Sequence, residues 1–336
     1  MYFKDKKDYE QYLNKNEIQN RDHILTNFNN NFFQWSKEGD VLLEPNKCQK
    51  STKNVEKYAS CIGWILLNDG KTMALLKNSF GDIYRDLSLE DYNLALYNNI
   101  LIPKIAKQLQ NESASYYFTK IAEVERNQKN NRRYLLTLDF KGKDEELISG
   151  NDILGEFDYP TDILDIHKIL EILEDYLIKK GFYKQDIQRI KIDFIKQSFF
   201  NKFIQQLDEH NDNWGILASY KNHSVRIAPV YDLDCSCGIN KKSKKQRLCK
   251  DGSFSIKSFI KEFGNEAWFN QYIQEVIQNF DIHQAFAEAK EDTNVEIPKA
   301  YCEKYITFFH QRMQEVKDAY HTIDAEKKET DELEIT

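Results

Sequence analysis

What the 336-residue chain lacks narrows its class first. No apolar run approaches the roughly 20 residues that a membrane-spanning helix needs, so no membrane span is expected. The opening stretch MYFKDKKDYEQYLNKNE has no apolar core of the signal-peptide kind. A cytoplasmic protein is therefore expected, export as an effector without such a signal aside. Positive charge is short as well: 47 Lys and Arg stand against 54 Asp and Glu, a net −7. That removes the electrostatic ground for nucleic acid or an anionic membrane as default partner. A local phosphate site stays open, because a few backbone N–H groups and one lysine suffice for it. Paired cysteine motifs are missing too. Cys48, Cys61, Cys235, Cys237, Cys249 and Cys302 are scattered without a CxxC. They read as reduced, partly buried thiols rather than a disulfide framework, with a zinc site at Cys235, Cys237 and Cys249 the weaker reading.

What is present is ample apolar material, 41% of the residues, in a length that suits two packed lobes. Residues 1–50 are polar with interspersed aromatics and read as an extension packing on a larger body. In CIGWILLNDGKTMALLKNS, two apolar runs flank Asn68-Asp69-Gly70-Lys71, a turn that needs positive φ. Cys61 to Leu67 and Thr72 to Lys77 are expected as antiparallel strands. Residues 89–109 have helical period, with Pro103 marking a break or a new start. SYYFTKIAEVE and RRYLLTLDF read as two further strands about the polar turn Asn127 to Asn131.

From Thr161 the chain turns helical. Helices are expected over Asp162 to Lys180, with Gly181 as the residue just beyond the end, and over Gln185 to Leu207. The second carries Ile187, Ile190, Phe194, Ile195, Phe199, Phe203 and Leu207 at mixed spacings of three and four, a core-facing stripe. More amphipathic helices fill 254–320, and the charged end is expected to fray. The fold class is thus α+β and bilobed: an extension at 1–50, a β-rich lobe at 51–160, a helical lobe at 161–320 and a tail at 321–336.

One polar run resists a merely structural explanation. Asp208-Glu209-His210-Asn211-Asp212-Asn213 follows an apolar helix directly and is closed by Trp214 and Gly215. Alone, such a run is what a solvated turn favours. A strand WGILASY, a turn at Lys221 to His223 and a returning strand VRIAPV then bring the chain back to a second acid, Asp232. Phosphoryl transfer asks for a cation on the phosphates, a group to take the acceptor's proton, and Mg²⁺ held by one or two hard oxygen ligands. Asp208 suits the base, Asn213 and Asp232 the metal ligands, and Lys77, at the end of a strand, the phosphate lysine. His210 belongs to the same catalytic segment and is read first as a residue packing under the loop and bonding to backbone.

The pattern D-x-H-x-x-N-W-G from Asp208 to Gly215, followed by IAPVYD at Ile227 to Asp232, resembles the HipA-like Ser/Thr kinases. Its NWG form is similar to the stand-alone bacterial kinases of the CtkA kind. RYLLTLDFKGKDEELISG, Arg133 to Gly150, resembles the strand-and-hinge region of that family. The likeness covers Cys61 to Asp234. It implies a bilobed protein kinase-like fold with ATP and Mg in the cleft, Asp208 as the catalytic aspartate, Asn213 and Asp232 on the metal, Lys77 on ATP, and Leu138 and Asp139 at the adenine hinge. It further implies a protein substrate, autophosphorylation among the acceptors, and an antitoxin or regulatory partner. A lipid or small-molecule kinase, and an interaction module without strong catalysis, are the competing readings. The chain departs from the pattern in two places. Gly63 stands alone, and Ser60 is a candidate phosphate contact. The helix expected to offer Lys77 a glutamate has Glu90 at its start and Asn98 and Asn99 at its middle. The basic run KKSKKQR, Lys241 to Arg247, reads as a flexible charged loop.

Overall fold

The computed structural model describes residues 41–43, 49–50, 61–66, 73–78, 89–121, 134–142, 144–160, 164–239 and 246–334. The polar N-terminal segment to residue 40, Ser60, the turns at Asn68–Lys71 and Asn127–Asn131, the side chain of Glu90, and Lys241–Lys245 lie outside them.

A six-stranded sheet forms the first lobe, in the order β1-β5-β6-β4-β3-β2. Its strands are β1 (Val41–Leu43), β2 (Gln49–Lys50), β3 (Cys61–Leu66), β4 (Met73–Asn78), β5 (Tyr116–Ile121) and β6 (Tyr134–Leu138). The two expected hairpins, β3–β4 and β5–β6, are antiparallel and join edge to edge through β4 and β6. Between them runs α1 (Leu89–Gln108), continuous through Pro103. The break expected there does not occur. Ile100, Leu101, Ile102, Ile105 and Ala106 around the proline are all buried, so tertiary packing outweighs the lost N–H.

A three-stranded antiparallel sheet joins β7 (Glu146–Ser149), which lies within the 51–160 expected for the first lobe but pairs outside the six-stranded sheet, to β8 (Gly215–Ser219) and β9 (Ser224–Ile227) of the second lobe. Around it stand α2 (Gly150–Gly155), α3 (Ile166–Lys179), α4 (Lys184–Phe203), α5 (Ile256–Phe263), α6 (Ala267–Asn279), α7 (Ile282–Thr293) and α8 (Lys299–Glu334). Asp165 caps α3 by accepting from the N–H groups of His167 and Lys168, and Gly181 takes φ +80° just beyond its end, as the sequence suggests. The tail expected to fray instead continues α8 to Glu334. Its residues, rich in Glu and Lys, are strong helix formers with opposite charges at helical spacing.

Helix α4 differs from expectation in a way that matters. Its apolar stripe is buried, but so are Gln197, Ser198, Asn201 and Lys202 in its last two turns. It also ends at Phe203, four residues short of Leu207. Gln205 adopts φ 53°, its N–H bonds to the Lys202 carbonyl, and the Gln206 N–H bonds to that of Asn201 at 2.8 Å. This paired closure of the last turn puts a left-handed residue where glycine is usual. It releases Gln206 to Asn213 from the helix and makes them a loop.

Candidate functional site

Lys77 comes from β4. Register places it opposite Leu135, and Leu75 opposite Thr137, which itself faces Tyr116 on β5. Opposed residues share a face, so Lys77, Leu75, Thr137 and Tyr116 point to one side of the sheet. On that side stands Asp232 of the second lobe, and Lys77 forms an ion pair with its carboxylate. Burial alone would lower the ammonium's pKa. The charge of Asp232, helped by its hydrogen bond and by the nearby Asp234, outweighs that and carries Lys77 above the usual lysine range.

Asp232 has φ 55°, a backbone state few non-glycine residues adopt. Two side chains hold it there. Its N–H donates to the Tyr116 hydroxyl at 2.9 Å, and its carbonyl accepts from Gln206 Nε2 at 2.6 Å. Gln206 is buried, and the Oε1 of the same side chain lies 3.4 Å from the Asp208 N–H that donates to it. One amide therefore links the backbones of both acids. Asn213 closes the loop from the other end, with Nδ2 donating to the Asp208 carbonyl at 2.8 Å.

The polar hexad divides by direction. Glu209 and Asn211 are buried, while Asp208, His210, Asp212 and Asn213 are partly exposed. Asn211 accepts from the indole N–H of Trp214 at 2.9 Å, and Trp214 lies edge-on to Phe194 with centroids 4.7 Å apart. His210 accepts the Asp212 N–H on Nδ1 at 3.2 Å and folds the turn. The two glycine-bearing phrases meet under this loop. The Gly150 N–H donates to the Trp214 carbonyl at 2.9 Å, and a Cβ on Gly150 would stand 2.2 Å from the indole ring. A Cβ on Gly215 would stand 2.4 Å from the Ile148 carbonyl oxygen. ELISG and NWG are thus two halves of one close contact between β7 and β8.

Leu138 and Asp139 end β6 at the rim of the sheet. Their N–H groups are committed, to the Ser115 and Met73 carbonyls, both at 3.1 Å. A base docking at these two residues would meet their carbonyls. The segment that follows is stapled to the second lobe by Arg226, whose Nε and Nη2 reach the Glu145 carboxylate at 2.7 and 2.8 Å.

Several residues of this site have no motif to announce them. Tyr116 and Gln206 hold the Asp232 backbone. Asn98 on α1, fully buried, donates to the Asp234 and Ser236 carbonyls, each at 2.9 Å, and accepts from the Tyr305 hydroxyl at 2.8 Å. The middle of this helix thus grips the backbone that follows Asp232, while the side chain of Glu90 lies outside the described residues. Arg247 corrects the reading of Lys241 to Arg247 as a charged loop throughout. It is completely buried, because Glu209 pairs with it at 2.8 Å. The sign available in sequence was the position of Asn98 in an apolar helix, since a buried amide needs partners.

The donor set suits a hard divalent cation. With Nδ2 of Asn213 spent on Asp208, its amide oxygen is the end left over, and Asp232 adds carboxylate oxygen; Mg²⁺ takes few protein ligands of that kind and completes its shell with water and phosphate. Among the described residues no cluster of three or more His, Cys, Asp or Glu is arranged to bind a metal. No helix among them is long and apolar enough to cross a membrane.

No protein-family model matches the chain, and no curated protein matches it in sequence. Among solved structures, the proinflammatory kinase CtkA of Helicobacter pylori superposes with a TM-score of 0.56 at 13% identity, over 79% of this chain and 95% of that one. A chain of the Shewanella oneidensis MR-1 toxin–antitoxin complex of HipA, HipB and operator DNA gives 0.45 at 13% identity, over 75% of this chain and 58% of that one. The fold of this chain is similar to that of the CtkA kinase.

Proposed function

We propose that the protein transfers the γ-phosphoryl group of ATP to Ser or Thr side chains of a protein, its own chain among the acceptors, in a Mg-dependent reaction. The observation that carries the reading is the meeting of Lys77 from the sheet with Asp232 from the helical lobe, on a backbone that Gln206 links to Asp208.

Each residue has a task in that chemistry. Asp208 accepts the proton of the attacking hydroxyl. Asn213 and Asp232 hold Mg²⁺, whose charge offsets that of the phosphates when it is bound. Lys77 bonds to phosphate oxygens, and being buried and cationic it does so without losing its charge. The Lys77 ammonium rests on the Asp232 carboxylate, so each neutralises the other and neither is an isolated buried charge. His210 keeps the turn between Asp208 and Asn213 in shape. Leu138 and Asp139 offer carbonyls to the base at the rim of the cleft.

The acceptor class is tested with labelled ATP and Mg²⁺, with a Ser/Thr protein mixture and phosphoinositide vesicles incubated in parallel. Label on Ser or Thr is expected. Label confined to lipid, or none in either, overturns the assignment.

A further inference from the structure

We propose that Glu209 and Arg247 are positioning residues: a buried ion pair through which the chain downstream of Asp232 sets the geometry of the loop from Asp208 to Asn213. The inference rests on the phosphoryl-transfer reading and adds to it residues that no motif identifies.

Glu209 sits beside Asp208 and points the opposite way, into the core, 1% exposed. Both carboxylate oxygens are used. Oε1 accepts from Arg247 Nη1 at 2.8 Å and from Asn201 Nδ2 at 3.0 Å, and Oε2 accepts from the Arg247 backbone N–H at 2.7 Å. Arg247 is wholly buried, and its guanidinium lies 4.7 Å from the Phe194 ring and 5.6 Å from that of Trp214. Nη1 also reaches Ser198 Oγ at 3.3 Å, while Nε and Nη2 find no acceptor. Two donors without an acceptor inside a core are a standing penalty, offset by the rings and the carboxylate. A fold selected only for stability would do as well with apolar residues here.

What the pair accomplishes is a connection. Arg247 touches the loop at both ends, at Glu209 next to the base and at Trp214 next to Asn213. It arrives from the segment that begins at Asp232. That segment is fastened to the same turn elsewhere: the Leu207 N–H donates to the Cys235 carbonyl and the Cys237 N–H to the Ile204 carbonyl, both at 2.8 Å, and Gln246 Nε2 donates to the Gln206 carbonyl at 3.0 Å. Lys202, buried on α4, anchors the Arg247 carbonyl. A displacement of Gln246 or Arg247 would therefore act on Gln206 and Glu209, and through them on the Asp208 and Asn213 backbone. Orientation errors of this size are enough to slow a positioned reaction greatly.

The test compares wild type with Glu209→Gln, Arg247→Met and Asn201→Ala. Calorimetric titration with Mg-ATP counts nucleotide-competent protein, and turnover of labelled ATP is expressed per bound nucleotide, which separates misplacement from unfolding. Glu209→Gln and Arg247→Met are expected to lower kcat by at least about tenfold, with the dissociation constant for Mg-ATP changed less than about threefold. Arg247→Lys, which keeps the charge, should fall between. Turnover per bound nucleotide equal to wild type in both ion-pair variants overturns the proposal. Should neither of them fold, Asn201→Ala, which spares the pair, decides: a fall of about threefold supports it and no change overturns it. Wild type that binds and turns over no ATP would instead overturn the kinase reading itself.

Discussion

At the residue scale the account turns on Lys77, Asp232 and the small groups that hold them. The Lys77 ammonium is raised by Asp232 despite its burial. Its contribution to stability is therefore complete below the unfolded lysine value of about 10.4 and is lost only as pH rises through the higher folded value. Lys77→Met should lower the urea midpoint by the same amount at pH 7 and at pH 9; a gap that closes between those values would contradict the pairing. Tyr116 gives a finer test. Its hydroxyl accepts the N–H of Asp232 in a left-handed backbone state. Tyr116→Phe removes that acceptor, worth about 1 kcal/mol, and should raise the Mg²⁺ concentration for half-maximal turnover by about fivefold. An unshifted Mg²⁺ titration would show that Tyr116 does not hold the metal ligand.

The element scale shows what a sequence exposes and what it hides. Two apolar runs flanking Asn68–Lys71 announce β3 and β4, and the mixed three-and-four spacing of α4 announces its buried stripe. The hairpin from Gly215 to Ile227 likewise follows from its strands and turn, and the return of Asp232 towards the polar loop follows from the hairpin. Other features rest on contacts between distant segments. The end of α4 at Phe203 depends on a left-handed glutamine, a residue type with no preference for that state, so nothing local marks it. Pro103 misleads because its helix is buried on several sides. Arg247 misleads because it follows a run of lysines, while its partner Glu209 lies 38 residues earlier. The contact of α2 and β8 can be tested directly. Gly150→Ala would drive a methyl into the fully buried indole of Trp214 and should cost about 1–3 kcal/mol in urea unfolding. Unchanged stability would mean that Gly150 and the Trp214 indole are not held so close.

At the scale of the whole molecule, the two lobes share one apolar core among the described residues, and specific polar links cross it. Lys77 joins β4 to Asp232, Asn98 joins α1 to the Asp234 and Ser236 carbonyls and to Tyr305 of α8, and Arg226 joins β9 to the segment after β6. Asp232 and the backbone that follows it are thus gripped by the sheet, by α1 and, through Gln206, by the loop from Asp208 to Asn213. In the proposed reaction the nucleotide and its cation would bind where Lys77 and Asp232 meet. The most direct measurement is mass spectrometry of the purified chain after incubation with ATP and Mg²⁺, for wild type, Asp208→Ala and Asp232→Ala. Phosphate on Ser or Thr of the wild type, and at least about a hundredfold less on either variant, is the predicted result. Phosphate incorporated equally by the Asp232→Ala protein would contradict it.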